Sequence, residues 1–397
     1  MRKPPPLPPP PPPWRPSLIR QVWWTGDDKG LGFSINSMVQ IGVTDLKPYV
    51  HSDCGGVADK QTGLVPVPEY VRWSQHCALG AIHRYHGGPG HQPWIYNSTI
   101  EAIVRDFLNL RMTLMPTIIA AGARANVDAT PIARRLDIAF PTSDVGNSTR
   151  TDQYLLADDL LVAPCSQWTA NGSSTRKVWI PPGSWQDAWS GATIAGPKLV
   201  TITQPLARIP MWHRRGGLVC TAPVAQTVEE QDWSTLGLEV FPFDLNDDEF
   251  GDDGAGPAQH HVLRRSVTRE GEPSGTAITM TQVGGNVTVT VDPSWDGVPH
   301  AASLAGRSWV VRIHLLRHQH VDSLRVDGAA RDAEAGDGRV IRPLGRRETA
   351  QSFFPFRGPG SAPPSEAGNV VEIWLDAMTG GRAVAVVLRG GTVFGSK

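Results

Sequence analysis

Three short apolar segments in the first 125 residues each end in a cluster of charged and hydrogen-bonding side chains. Leu18–Trp24 reads as a buried strand and runs into Thr25–Lys29. Val43–Val50 reads as a second strand and ends at His51-Ser52-Asp53. Cys77–Ile82 reads as a third and ends at His83-Arg84-Tyr85-His86. Between the first two, Phe33, Ile35, Met38, Val39 and Ile41 recur at helical spacing, and Gly42 is expected to stop that helix. After the third, Ser98 and Glu101 form a capping box. Ile103, Phe107, Leu110, Leu114 and Ile118 then make a core stripe, with a kink expected at Pro116. Strand, polar cluster and helix in repetition predict βα units of a parallel sheet. Such sheets keep their chemistry at the C-terminal ends of the strands.

From about residue 130 the pattern changes to short β-branched or Trp-containing segments between Pro, Gly and Asp turns. Asp159–Ala163, Lys177–Ile180 and Leu199–Ile202 predict an antiparallel β-sandwich. A second set follows the acidic stretch Asp244–Asp253: Ala277–Met280, Val287–Val291, Ser308–His314, Val370–Trp374 and Ala383–Leu388. The expected division is a Pro-rich disordered tail (1–17), an α/β unit (18–127), a proximal β-sandwich (128–224) and a distal β domain (225–397). Residues 327–368 are expected to be a disordered loop within the last.

The charge balance narrows the function classes. Lys and Arg number 37 against 38 Asp and Glu, a net charge of −1. That argues against a broad nucleic-acid surface and against a polybasic membrane anchor. No apolar run approaches the roughly 18 residues of a membrane helix. The basic start Met1-Arg2-Lys3 leads into prolines and is not expected to be a secretory signal. Residues 4–16 hold ten prolines, a polyproline II segment that could dock an SH3-, EVH1- or profilin-like partner through residues 4–13. Cys54, Cys77, Cys165 and Cys220 form no CxxC pair and are expected to be buried free thiols. Four Asn-x-Ser/Thr sequons, at Asn97, Asn147, Asn171 and Asn286, exceed the one or two that average composition gives by roughly chance alone.

The polar clusters are the candidates for chemistry. In Trp23-Trp24-Thr25-Gly26-Asp27-Asp28 a carboxyl group follows a buried strand between indoles. Desolvation there would keep it protonated, as a general acid requires. The alternative is that Asp27 caps the next helix. In His51-Ser52-Asp53-Cys54-Gly55-Gly56 the glycines let the backbone approach a ligand, and Asp53 can bond its hydroxyls; the alternative is an Asx-turn. Arg72-Trp73 and His83–His86 make a third cluster. His83, His86 and His91 are close in sequence, but no carboxylate or cysteine sits at a metal-ligand spacing beside them. No Walker, GxGxxG or GxSxG motif is present.

Taken in order, these segments resemble glycoside hydrolase family 31, the retaining α-glucosidases, α-xylosidases and relatives. Trp24-Thr25-Gly26-Asp27 resembles the family's W-[ST]-G-D, Asp53-Cys54-Gly55-Gly56 its D-I-G-G-F, and Arg72-Trp73-Ser74-Gln75 its R-W-x-Q. Arg84-Tyr85-His86 resembles its R-x-H. Tyr154–Pro164 resembles Y-x-x-G-D-D-L-L-V-A-P, and the run from Trp179 through Gly191 its L-P-x-G-x-W-x-D-x-W-x-G. The resemblance covers about residues 20–222. It implies the last βα units, strands six to eight, of a (β/α)8 barrel, followed by a β-sandwich and a distal β domain. It also implies Asp27 as general acid/base, and Asp53 and His86 as hydrogen-bonding groups for the sugar. Trp24, Arg72 and Trp73 would shape that subsite. The substrate would be an α-linked oligosaccharide or glycoside, with no cofactor and no metal.

Two substitutions depart from the family pattern: Asp28 where Asn is common and Val57 where Phe is common. A complete barrel takes about 250 residues, and the family's nucleophilic aspartate follows the fourth strand. Retention needs two carboxyl groups about 5–5.5 Å apart, and nothing upstream of Asp27 supplies the second. The expectation is therefore a fragment of a longer enzyme. The alternatives are a non-catalytic carbohydrate-binding protein and a polyproline-mediated scaffold.

Overall fold

The computed structural model describes residues 22–26, 30–57, 63–85, 90–141, 144–243, 261–267, 276–292, 308–316, 319–326, 329–331, 370–375 and 382–390. The proline-rich tail, Asp27, His86 and most of 327–368 lie outside the described residues.

The chain begins with the expected alternation, but its first strand is exposed rather than buried, at Val22, Trp23 and Trp24 alike. Strand β1 (Val22–Trp24) leads to helix α1 (Leu31–Thr44) and strand β2 (Tyr49–His51). β1 and β2 pair in parallel, with Trp24 opposite His51. Leu31, Ile35, Met38, Val39 and Gly42 form the buried stripe of α1. Gly42 does not stop this helix. It lies on the buried face, where a Cβ would meet Pro131 at 3.1 Å. The helix ends just short of Pro48, before which α geometry is disfavoured, and the second strand is correspondingly shorter than expected. Its N-cap is Gly30, which brings no capping side chain; the alternative capping role of Asp27 falls outside the described residues.

Cys77–Ile82 is not a strand. Helix α2 (Val67–Ala78) occupies the first part of it, entered through Pro66 and Pro68. Tyr70 through Ala78 are all buried, the polar Arg72, Ser74, Gln75 and His76 among them, so the polar side of α2 faces protein rather than solvent. Among the described residues a single parallel bridge, Cys54 to Tyr85, continues the sheet beyond β2.

The long helix is two helices, α3 (Ser98–Thr113) and α4 (Met115–Asp128), broken at Leu114. Asn97, not Ser98, caps the first, accepting from Ile100 N at 3.0 Å. Pro116 lacks the N–H that would have bonded the carbonyl of Met112. Gln231 Nε2 supplies the donor instead, at 2.6 Å. Ala222 N likewise bonds Thr113 O at 3.0 Å.

The next unit holds β3 (Ala133–Arg134), the short helices α5 (Leu136–Ala139) and α6 (Val145–Ser148), then β4 (Tyr154–Leu156), β5 (Leu160–Val162), β6 (Ser174–Asp187), β7 (Thr193–Gln204) and β8 (Met211–Arg214). They form one sheet in the order β3-β4-β5-β8-β6-β7. Alternate residues face two cores. Tyr154, Leu156, Leu160, Val162 and Met211 pack with the helices, while Leu155, Leu161 and Trp212 pack with Val178, Ile180 and Trp185. The β6–β7 register slips between Ile180 and Gly183. Gln153 binds both backbone groups of Trp179, at 2.7 and 2.9 Å, so the first half of β6, before the slip, lies against the start of β4. The expected sandwich is thus one bent sheet folded over its own core.

The remaining strands are β9 (Gly217–Thr221), β10 (Thr235–Phe241), β11 (His261–Val267), β12 (Thr276–Val283), β13 (Asn286–Asp292), β14 (Ser308–His314), β15 (Gln319–Val326), β16 (Ala329–Arg331), β17 (Val370–Leu375) and β18 (Arg382–Gly390). Two sheets, β17-β14-β10-β9 and β11-β12-β13-β18-β15-β16, enclose a common core that includes Leu238, Met280, Val289, Trp309 and Ile373. β9 pairs with β10, so the chain changes sheets between Arg214 and Gly217 rather than near residue 224. Among the described residues no helix is long and apolar enough to cross a membrane.

Candidate functional site

The parallel pairing brings three chain segments together at their C-terminal ends. Thr25 N bonds His51 O at 3.0 Å, and Cys54 N bonds Arg84 O at 3.2 Å. Trp24, Asp53 and Arg84 therefore stand side by side at one end of the sheet. Trp24 Nε1 donates to Asp53 Oδ1 at 2.8 Å, and Arg84 Nη2 donates to the same oxygen at 2.9 Å. The carboxylate is 1% exposed, while the indole is 40% exposed. A buried anion is thus held by two directed donors, one of them cationic, beneath an aromatic face open to solvent. Burial and the neighbouring Arg84 cation hold His51 below its ordinary pKa.

Trp73 supports this group from below. Fully buried on α2, it donates from Nε1 to Ser52 Oγ at 2.9 Å. It packs with Leu31 and Ile35 of α1 and with Cys54 and Cys77. Those two cysteines form a disulfide, with Cα atoms 5.9 Å apart. The expectation of four free thiols therefore holds only for Cys165 and Cys220, both buried. The disulfide ties the residue after Asp53 to the helix that carries Trp73.

The paired glycines are required where they stand. Gly55 and Gly56 have φ of +86° and +80°. A Cβ on Gly56 would lie 2.8 Å from Glu69 Oε1 and 3.2 Å from the Trp73 ring. His91 Nε2 bonds Gly56 O at 2.7 Å and pins the turn from outside.

Arg72 is placed differently from the subsite role that the resemblance implies. It follows Tyr70 and Val71 on α2 and sits about 100° around the helix from Trp73. Its guanidinium donates to the carbonyls of Gly172, Gln204, Pro205 and Arg208. Gln75 reaches the same loop through Leu206 O at 2.7 Å. Arg72 thus fastens α2 to the β6–β8 sheet. Of the residues expected at the site, Trp24, Asp53 and Trp73 come together. Asp27 and His86 lie outside the described residues.

Two residues not expected there complete the group. Arg84 is the ion-pair partner of Asp53, and it lay unassigned within the third polar cluster. Arg111 of α3 donates to Gly80 O at 2.7 Å and Ala81 O at 2.9 Å, fixing the segment that leads to Arg84. Burial lowers its pKa to about 10. Among the described residues no group of three His, Cys, Asp or Glu side chains could hold a metal ion.

Comparison with known proteins accords with this arrangement. Residues 19–121 match the TIM-barrel domain of glycosyl hydrolases family 31, and residues 129–219 match the glycosyl hydrolase family 31 C-terminal domain. A 1,6-alpha-glucosyltransferase of Sporosarcina globispora is 30% identical over 214 residues, covering 51% of this chain and 16% of its own length. Human neutral alpha-glucosidase AB is 32% identical over 206 residues, covering 49% of this chain and 21% of its own. Among solved structures, a GH31 dextranase of Flavobacterium johnsoniae complexed with isomaltotriose superposes with a TM-score of 0.69 at 20% identity. The match covers 92% of this chain and 44% of the dextranase. The chain thus spans less than half the length of each of these proteins. Over residues 19–219, through its two matched segments and the ordered motifs they contain, the chain belongs to glycoside hydrolase family 31.

Proposed function

We propose that this chain carries the acid/base half of a retaining α-glycosidase, with β1, β2 and the segment at Tyr85 as strands six to eight of its barrel. The supporting observation is Asp53, buried at the strand ends and held by Trp24 and Arg84. A sugar at this mouth would lay its C–H face on the indole and its hydroxyls against the polar rim. Asp27, three residues beyond Trp24, would protonate the leaving glycosidic oxygen. It would then take a proton from the water that attacks a glycosyl ester. The nucleophilic carboxylate of that ester would come from polypeptide outside these 397 residues.

Calorimetric titration with isomaltotriose tests the reading. Binding by the chain, lost in Asp53→Asn, is the expected result, together with no release of 4-nitrophenol from its α-glucoside. Absence of binding would overturn the sugar site. Turnover that disappears in Asp27→Asn would overturn the outside nucleophile.

A second reading, sugar binding without hydrolysis, rests on the same grouping, because Asp53, Trp24 and Arg84 all lie on this chain. It is favoured if adding the missing barrel segment restores no turnover. A polyproline partner at residues 4–13 is a separate proposal, tested by whether deleting them abolishes binding to profilin or an SH3 domain.

A further inference from the structure

The four sequons play no part in the site described above, and the structure separates them into two kinds. Asn171 is exposed in the turn before β6. Its Oδ1 accepts from Thr169 Oγ1 at 2.6 Å and from Ser173 N, two residues on, at 3.0 Å. The amide nitrogen makes no hydrogen bond among the described residues. Asn97 is exposed at the start of α3 and likewise uses only its oxygen, on Ile100 N. Asn286 opens β13 beside the Gly284-Gly285 turn. It and Thr288 lie on the outer face of the strand, while Val287 and Val289 point into the core.

Asn147 is the other kind. It lies half-buried within α6, its Nδ2 donates to Asp144 Oδ2 at 2.6 Å, and the following Ser148 is 1% exposed. An oligosaccharide there would have to break that bond and clear the face on which Ser148 packs.

A second observation, independent of the sequons, bears on the compartment. The Cys54–Cys77 disulfide is of a kind that persists in the oxidising route where oligosaccharides are attached to asparagine.

We propose that Asn97, Asn171 and Asn286 carry N-linked oligosaccharides and that Asn147 does not. The donor is a lipid-pyrophosphate-linked oligosaccharide. The asparagine Nδ2 forms a bond to its anomeric carbon, the bond from that carbon to the pyrophosphate oxygen breaks, and the amide loses one proton as the lipid pyrophosphate leaves.

The test uses protein isolated from the organism that encodes it. Peptides are treated with peptide-N-glycosidase in heavy-oxygen water, which converts each glycosylated asparagine to a labelled aspartate. The expected result is label at Asn97, Asn171 and Asn286, and none at Asn147. No label at any of the four would overturn the proposal. Label at Asn147 with Asn171 and Asn286 bare would overturn the structural ranking. Recovery of Cys54 and Cys77 as thiols from the same preparation would overturn the compartment on which the proposal depends.

Discussion

Arg84 and Trp24 both donate to Oδ1 of Asp53, and Arg84 is the only one of the two that brings a charge. Charge-assisted bonds to a buried carboxylate contribute more than neutral ones. Because the guanidinium is 41% exposed, solvent screens part of that gain. Arg84→Gln should weaken binding of isomaltotriose by roughly fivefold to tenfold, about 1 kcal/mol, while leaving the fold intact. An unchanged dissociation constant by calorimetry would remove Arg84 from the site.

The disulfide makes a count. Alkylation of the denatured, unreduced chain should label only Cys165 and Cys220. Prior reduction should expose four thiols. Replacing both Cys54 and Cys77 by Ser should cost about 2–4 kcal/mol in denaturant unfolding, and sugar affinity should fall with it because Asp53 is the preceding residue. Four labelled cysteines without reduction would contradict the pairing.

Gly56 separates backbone strain from crowding. Gly56→Ala places a Cβ 2.8 Å from Glu69 Oε1 at φ +80°. Gly63→Ala imposes a comparable φ, +69°, with nothing within 4 Å. Both should destabilise by about 1 kcal/mol for the left-handed conformation, and Gly56→Ala by more. Equal shifts in melting temperature would show that the turn is less crowded than its geometry indicates.

Two buried histidines set an acid limb. Burial lowers His76 to about 3, and burial with His314 and Arg215 holds His213 well below 6.5. The unfolded chain takes up protons below about pH 6.5 that the native state refuses. Stability is therefore full above that pH and lost as pH falls towards the folded values, by up to about 1.4 kcal/mol per pH unit for each group. Glu239 adds to this lower down. Burial raises its pKa, but Arg312 at 2.8 Å and His314 at 2.6 Å outweigh that and hold it below 4.5. Its contribution is present above 4.5 and lost as pH falls through the folded value. Unfolding free energies that stay flat from pH 7 to 5 would contradict the histidine assignment.

How much of this was legible depended on whether a residue's partner is near it in sequence. β1, β2 and the turn at Asp53 were readable because an apolar run ending in polar residues is a local pattern. α2 was not, because its polar residues Arg72, Ser74, Gln75 and His76 are as buried as its apolar ones, and its last two residues open the apolar run Cys77–Ile82 that reads as a strand. The Asp53–Arg84 pair spans 31 residues and leaves no local trace. The disulfide was missed for the same reason, since cysteine spacing does not determine pairing. Arg72 and Trp73 are neighbours in a motif, yet helix geometry sends one to the sandwich loop and the other beneath Ser52. The β-strands at Ser308–His314 and Val370–Leu375 were legible because their β-branched runs are bounded by polar segments.

The break at Leu114 has a consequence for cooperativity. Gln231 reaches Met112 across 119 residues of sequence, so the protection of that helical junction against opening is set by a distant segment of the chain. Local melting of the turn at Gln231 would uncover the carbonyl of Met112 to water, and fraying of the first turn of α4 would release β9 through Thr117 and Cys220, whose hydroxyl and carbonyl are 2.7 Å apart. The helix pair and the strand pair β9–β10 should therefore exchange their amide hydrogens as a single unit, and the proline that interrupts the helix is what couples them.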